Sequence, residues 1–540
     1  MGFDSSLTVA RTLRQAAARY GAQEAVVIGA DRLTYSQVLA ESSRYAGALQ
    51  RMGLKAGDHV GLLMPNCLEY LLLFYACSLV GIRPVHLNSR YKSDDLRYVI
   101  KDSDMRVLIT SAKQRAFFDY AAMLTELYPE LSRWEMGQPL HLAAAPCLQA
   151  VYYLHASEAH RWGDERHFAG VDAVPIEDNI DPEQIALIMY TSGTTAHPKA
   201  CLLSHRALEY AGHALAKRFL MSQRDRFWDP LPFFHMSTML PMAACRASGA
   251  TFIAQEHFEA AASLAEIVAE RATILFPSFP TITAALYGHP QFSADAFRNV
   301  RLVNNVGPPD LLRRFAAQLP HATHVTAYGL TEAGGVISFN ELTDTPEQLT
   351  ETSGRPFDGI EVKIVDAETL LERPIGAVGE ILIRGRSMFS GYYNDPARTE
   401  AVFLNREWVR SGDLGALTPE GRIRYLGRLK DMLKVGGENV AAIEIEGFLC
   451  THPAVKVAQV IAVSDDRLQE VAAAFVELKD GVAIDPEDLV RYCVGRIAGF
   501  KVPRYVEFVR EWPMSATKIQ KFKLLERVDL SRKIDPAKFK

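Results

Sequence analysis

Ile185-Ala-Leu-Ile-Met-Tyr190-Thr-Ser-Gly-Thr-Thr-Ala-His-Pro-Lys199-Ala is the stretch that decides how the chain is read. Its apolar start, bounded by turn formers, predicts a buried strand. The hydroxyl- and glycine-rich run that follows predicts a loop whose backbone N–H groups can form a concave nest for phosphate oxygens. Thr191, Ser192, Thr194 and Thr195 add hydroxyl donors around Gly193, and Lys199 adds positive charge. No Gly-Lys-Ser/Thr follows a glycine at the required distance, so this is not a Walker A loop. Taken alone, such a cluster reads equally well as a surface turn.

The residues downstream change that balance. Tyr328-Gly-Leu-Thr-Glu332, Ser411-Gly-Asp413, Gly427-Arg-Leu-Lys-Asp431, Gly436-Gly-Glu-Asn439 and Ser515-Ala-Thr-Lys518 follow in that order. With the loop, they resemble the adenylate-forming superfamily of acyl-CoA synthetases, aryl-CoA ligases, luciferases and peptide-synthetase adenylation domains. The resemblance runs from about Leu33 to Lys523. It implies an ATP-dependent acyl-CoA ligase that makes an acyl-adenylate, releases pyrophosphate and passes the acyl group to coenzyme A. Two rivals share the nucleotide motifs: an adenylating enzyme that loads a carrier protein, and a non-catalytic nucleotide-binding paralogue.

Adenylation joins two anions, so the site must suppress their repulsion and stabilise a crowded phosphorus centre. That calls for a donor nest, a divalent cation and a mobile positive charge. The resemblance implies Glu332 as the Mg2+ ligand with Thr331 near the phosphates, although a Thr-Glu pair is commonly just a helix start. It implies Asp413 as the ribose-binding carboxylate, where an Asx-turn is the plain alternative. Arg428 becomes a second ribose or phosphate contact. Tyr328, flanked by Ala327 and Gly329, is expected against adenine, with Gly307-Pro308 as the opposite wall. Lys518 is expected to reach the carboxylate and the α-phosphate, with Lys521 and Lys523 close by in sequence. Gly436 and Gly437 would let a thin pantetheine arm pass the backbone, and Lys434 joins the cofactor-binding set.

Three positions depart from the family pattern. Ala196 and Ala200 stand where relatives carry glycine, and alanine held at positive φ would cost about 1–2 kcal/mol. Thr517 replaces the glycine that usually precedes the lysine. Two further positions bear on the acid. Phe234-His235-Met-Ser237 occupies the segment where amino-acid-activating relatives place an aspartate, so His235 disfavours an amino acid and is itself a catalytic candidate. Gly329 falls where acetate-activating relatives place tryptophan, which predicts room for a medium-chain, cyclic or aromatic acid.

Organisation follows from rhythm. Strand-like runs at 25–28, 60–64, 107–109, 251–253, 273–276 and 300–303 alternate with amphipathic stretches, which predicts α/β layers with parallel sheets. The run at 70–80 is too short to span a bilayer and reads as a core helix. Residues 134–170 read as an irregular polar excursion, and the spacing of His155, His160 and His167 does not suit zinc. From 360 the rhythm shifts to short strands and tight turns, which predicts a small β unit; the family has a distorted barrel there. An α+β unit follows, and the expected division is 1–429 and 430–540, with a hinge near Lys430 and a mobile C-terminal domain. Residues 501–540 carry 11 Lys and Arg against 5 Asp and Glu: a solvated tail, or a surface for the phosphates of coenzyme A.

The net charge of −5 argues against a general nucleic-acid binder. Seven scattered cysteines with no Cys-x-x-Cys suit a reducing cytoplasm. No signal peptide is expected, nor stable membrane insertion, and a homodimer is compatible. ATP, Mg2+, coenzyme A and a small carboxylic acid are the expected partners.

Overall fold

The computed structural model describes residues 4, 6–156, 160–174, 179–191, 198–435, 438–514 and 519–539. Ser192, Gly193, Thr194, Thr195, Ala196, Gly436, Gly437 and Lys518 therefore lie outside the described residues.

Two seven-stranded sheets form the larger part. In the first, Glu24–Ile28, Thr251–Ala254, Arg226–Asp229, Ile274–Ser278, Leu302–Asn305 and Thr323–Val325 run parallel, and Asp31–Thr34 closes one edge antiparallel. In the second, Ala150–Leu154, Val107–Ser111, His59–Leu63, Arg83–His86 and Ile185–Thr191 are parallel. Lys199–Ser204 and then Gly391–Tyr392 extend that sheet antiparallel. Strands alternating with crossover helices give this arrangement, as the spacing of the apolar runs predicts.

The largest hydrophobic cluster joins residues of both sheets to the helices Val9–Tyr20, Tyr35–Arg51, Leu68–Leu79, His205–Arg218 and Met236–Ser248. Leu68–Leu79 is buried on every side from Tyr70 onward, which is what a helix that is apolar all round requires. Polar caps start its neighbours. Thr34 and Gln37 form a capping box for Tyr35–Arg51, and Ser204 accepts from Ala207 N–H at the start of His205–Arg218.

Within this apolar mass lies one buried ion pair. Arg246 meets Glu209 with the two side chains 1% and 0% exposed. Its guanidinium also donates to Thr12 Oγ1 at 2.9 Å and to the Tyr75 hydroxyl at 3.0 Å. Four helices thereby share one charge.

Residues 134–170 are not a surface excursion. They contain the buried edge strand Ala150–Leu154, and Trp134, Leu142, Leu148 and Trp162 pack beneath it. Outside the buried run Val151-Tyr152-Tyr153-Leu154 its core residues are spaced singly among polar ones, which is why the tract as a whole looked polar. Its histidines are tied to separate partners: His155 Nε2 lies 3.1 Å from Glu69 Oε1, His160 packs edge-on against Trp162, and His167 against Tyr152.

Beyond residue 360, Ile360–Val365, Gly379–Gly385, Trp408–Leu417, Phe403–Leu404 and Ile423–Arg428 build an open five-stranded antiparallel half-barrel. The turn Leu429–Asp431 then leads into a separate α+β unit. Its sheet contains Met432–Val435, Glu438–Ala441, Val455–Asp465, Gln469–Leu478 and Tyr505–Phe508 around its own core. Helix Ala442–Leu449 of this unit comes back to the larger part, and a Cβ on Gly447 would lie 3.6 Å from Pro308 Cβ. All seven cysteines are free thiols. Among the described residues no helix is long and apolar enough to cross a membrane.

Two stability predictions follow from this core. Arg246→Met strands the Glu209 carboxylate and should cost about 3–5 kcal/mol, whereas the double variant Arg246→Met/Glu209→Leu should recover most of it; urea unfolding of the three proteins measures this. Burial also holds the His86 imidazole down at about 3 and those of His205 and His324 at about 4. These groups bind protons in the unfolded chain first, below its ordinary histidine value near 6.5, so stability is complete above that pH and falls as pH drops toward 4. Melting temperatures measured between pH 7.5 and 4.5 should show this decline.

Candidate active site

The strand Ile185–Thr191 buries Ala186 to Tyr190 and pairs antiparallel with Lys199–Ser204, so Thr191 stands directly opposite Lys199. The phosphate-loop segment is thus closed by two strands, not by a strand and a helix. Its charge comes from Lys199 and not from a helix dipole. Ala200 lies within the second strand, opposite Tyr190, and is not among the residues with positive φ. The strain expected there does not exist, because a paired strand residue is extended. Ala196 lies outside the described residues.

Gly391–Tyr392 pairs with the outer edge of the same strand, placing Tyr392 opposite Cys201. The Tyr392 hydroxyl donates to Glu332 Oε1 at 2.8 Å. Lys199 Nζ donates to the Tyr392 oxygen at 3.4 Å and stands 3.9 Å from the same carboxylate oxygen. Glu332 and Thr331 belong to the single turn Thr331–Ala333. That turn ends at Gly334 and Gly335, both at positive φ, where a Cβ on Gly334 would lie 2.7 Å from Ser387 O. Nothing in the sequence spacing signals Tyr392; only the added strand brings it to Glu332.

A second cluster forms where Trp408–Leu417 pairs with Ile423–Arg428. Asp413 and Arg428 are directly opposite across this ladder, with Arg428 Nε 3.4 Å from Asp413 Oδ1. The Tyr328 hydroxyl donates to Asp413 Oδ2 at 2.9 Å. Asp413 N–H in turn donates to Ser411 Oγ at 3.0 Å, which folds Ser411-Gly412-Asp413 into a tight bend with Gly412 at φ +67°. Burial pushes the Tyr328 phenol well up, and the Asp413 charge adds to the shift. The Arg428 guanidinium is pulled down by burial but raised overall by Asp413 and then Tyr425. Tyr425 was not foreseen. Its ring stacks on Tyr328 with centroids 5.6 Å apart, so a base can reach only the remaining face of Tyr328.

The two clusters share one field. Arg428 feels the Glu332 charge, and Lys430 is held below the ordinary lysine value by burial, with Arg428, Lys199 and Lys521 adding to the effect against Asp431. Lys521 pairs with Glu446 and comes within 4.0 Å of Asp431. Four cations from three parts of the chain, Lys199, Arg428, Lys430 and Lys521, therefore converge among the carboxylates of Glu332, Asp413, Asp431 and Glu446. Such a corner attracts polyphosphate.

The remaining sites are placed less centrally. Gly307-Pro308 precedes helix Pro309–Gln318, a Cβ on Gly307 would lie 3.1 Å from Pro280, and Pro308 meets Gly447. Ala327–Tyr328 is a short buried strand. His235 starts helix Met236–Ser248 with its ring 4.6 Å from Phe234, and its segment is pinned by buried Asn66. That side chain donates to Leu231 O and Gln255 O and accepts from Phe233 N–H. Lys434 sits in Met432–Val435, its N–H bonded to Glu470 of the same sheet. Gly329 is not a simple opening: a Cβ there would lie 2.1 Å from Gly335 O and 2.4 Å from Val336 Cα. The backbone closes on itself at this position, so a side chain at 329 cannot serve as a clean probe of pocket depth.

A family model for the AMP-binding enzyme matches residues 13–393, and one for the AMP-binding enzyme C-terminal domain matches residues 444–518. The chain belongs to the AMP-binding enzyme family. This AMP-binding enzyme is 35% identical over 96% of its length to YngI of Bacillus subtilis (strain 168), to which acyl-CoA synthetase activity is provisionally ascribed, and covers 97% of that protein. It is 32% identical over 97% of its length to the mitochondrial medium-chain acyl-CoA ligase ACSF2 of Bos taurus, covering 88% of it. Among solved structures, ATP-bound MatB from Rhodopseudomonas palustris superposes with a TM-score of 0.84 at 25% identity, covering 96% of this chain and 99% of that one. The resemblance to adenylate-forming enzymes drawn from the motifs is thereby established.

The close approach at Gly329 gives a direct expectation. Gly329→Ala should lower stability by about 1–3 kcal/mol, the usual cost of overpacking. It should depress kcat/KM alike for short and long acids, measured over a series of straight-chain substrates beside the melting temperature.

Proposed function

We propose that this AMP-binding enzyme is an ATP-dependent acyl-CoA ligase for a medium-chain, cyclic or aromatic carboxylic acid. The observation that carries the reading is the pair of clusters, Glu332–Tyr392–Lys199 and Tyr328–Asp413–Arg428, joined by the field around Lys430. One set suits a metal-bound triphosphate and the other a nucleoside.

In this reading Asp413 accepts from the ribose hydroxyls, and Arg428, its cross-strand neighbour, keeps that carboxylate aimed. Tyr328 offers one face to the base, with Ala327, Gly329, Gly307 and Pro308 around it. Thr191 and Lys199 hold the two ends of the phosphate loop, which adds Ser192, Gly193, Thr194 and Thr195. Glu332 fits a divalent cation: it is an anionic oxygen donor, 13% exposed, and among the described residues its Oε2 accepts no hydrogen bond. When bound there, Mg2+ would neutralise phosphate charge. Thr331 would donate to a phosphate oxygen.

Lys518, by its family position, would bring the last positive charge to the acid and the α-phosphate, then leave. Rotation of residues 430–540 about Lys430 would exchange it for Gly436-Gly437 and Lys434 beside the pantetheine arm. Lys430 lies at the turn between the two units, with Asp431 attracting it and Arg428, Lys199 and Lys521 repelling it. His235 and the apolar residues after it would face the acyl group, and the absence of an aspartate there supports an acid without an α-ammonium. The medium-chain relative supports the same substrate class.

Pyrophosphate release over a panel of acids, with and without coenzyme A, tests the assignment. The expected outcome is release that depends on acids of about six carbons or more and a thioester product only when coenzyme A is present. Adenylation without thioester formation would reject the ligase reading. Asp413→Ala should raise KM for ATP by about 10–100-fold, since bonds to a charged group contribute about 1.5–3 kcal/mol. Lys518→Ala should abolish adenylate formation yet leave transfer from a supplied acyl-adenylate to coenzyme A largely intact. Stopped assays of each half-reaction separate the two.

A further inference from the structure

Tyr392 lies outside every motif that carries the family resemblance, yet its segment grips Glu332 at two levels. Phe389 N–H donates to the Glu332 carbonyl at 2.9 Å, and Ser387 Oγ donates to the carbonyl of Ala333 at 2.9 Å. The Tyr392 hydroxyl then takes the side chain by one oxygen, Oε1. Tyr392 is itself fixed from behind: it pairs with Cys201 across the sheet edge, and its N–H donates to Thr399 Oγ1 at 2.9 Å.

Lys199 completes the arrangement. Its ammonium lies 5.1 Å from the centre of the Tyr392 ring and bonds the phenolic oxygen, but remains 3.9 Å from the carboxylate. The phenol therefore bonds both members of a long ion pair, accepting from the ammonium and donating to the carboxylate. Both side chains are mostly shielded, at 13% and 21% exposure, where a direct pair is stronger than in water. Drawn closer, such a pair would occupy the carboxylate that a cation needs.

We propose that Tyr392 is a positioning residue for the nucleotide–metal complex: its hydroxyl fixes Glu332 by Oε1 and leaves Oε2 for the cation. This rests on the reading of Glu332 as the metal-binding acid. The role requires a donor that is rigid and neutral. Phenylalanine keeps the ring, the strand pairing and the cation–π contact, and removes only the donor.

The test measures binding of a non-hydrolysable ATP analogue by calorimetry, with and without Mg2+, for wild type, Tyr392→Phe and Glu332→Gln. In wild type Mg2+ should strengthen binding. In Tyr392→Phe that strengthening should shrink about 5–10-fold while metal-free affinity stays within about twofold and the melting temperature is unchanged. A merely structural role would weaken both measurements together, and that result overturns the proposal. So does an unchanged Mg2+ effect in Tyr392→Phe when Glu332→Gln loses it. If Glu332→Gln retains the full Mg2+ effect, the metal reading of Glu332 fails and the proposal falls with it. Tyr392→Trp, which restores a donor on a larger ring, serves as the second variant if Tyr392→Phe does not fold; recovery of the Mg2+ effect supports the role, and its absence in a folded protein opposes it.

Discussion

The antiparallel pairing of Lys199–Ser204 with Ile185–Thr191 on one edge and Gly391–Tyr392 on the other is the contact on which the candidate site depends. It sets Thr191 against Lys199, closes the loop between them and delivers Tyr392 to Glu332. Residues almost two hundred positions apart in sequence become neighbours through a few ladder hydrogen bonds. Backbone bonds suit this task because their geometry tolerates little drift, so the carboxylate and the ammonium inherit fixed positions.

Electrostatics then organises what the ladders place. Asp413 and Arg428 are cross-strand partners, and Glu332 and Lys199 form a longer ion pair with the Tyr392 phenol bonded to both. The first pair is fixed across a ladder; the second stands at 3.9 Å, with the ammonium shared between the phenol and the carboxylate. A site for a polyanion needs both, since some charges must stay put to orient the nucleoside while others must remain available to the phosphates. Lys430 at the turn between the half-barrel and the C-terminal unit sits in the same field, crowded by cations with Asp431 in opposition.

The large part can carry this polar site because its stability is anchored elsewhere. Both seven-stranded sheets pack on helices whose common centre holds Arg246, Glu209, Thr12 and Tyr75. A buried charge satisfied by four helices fixes their mutual orientation, although apolar residues of equal volume could supply similar stability. The bend Ser411-Gly412-Asp413 lies away from that centre, within the half-barrel strand Trp408–Leu417.

Much of this was legible in the chain itself. Apolar runs of strand length alternating with amphipathic stretches determine the α/β layers, since period and burial are local properties. The ordered motifs determine the family and name Glu332, Asp413, Arg428 and Tyr328, because charge and hydroxyl content at fixed spacing survive without a structure. The core strand Ala150–Leu154 is a short apolar run inside a tract whose other buried residues are spaced singly, and only packing shows that it is covered on both faces, Tyr152 and Leu154 by one cluster and Val151 and Tyr153 by another. Tyr392 and Tyr425 carry no motif; cross-strand register alone decides that one meets Glu332 and the other stacks on Tyr328. At Ala200 the tertiary structure removed the expected strain, and at Gly329 it added a backbone constraint that the sequence does not show. Whether a position tolerates a Cβ depends on the backbone that approaches it from elsewhere: strand pairing keeps Ala200 relaxed, and the carbonyl of Gly335 crowds Gly329.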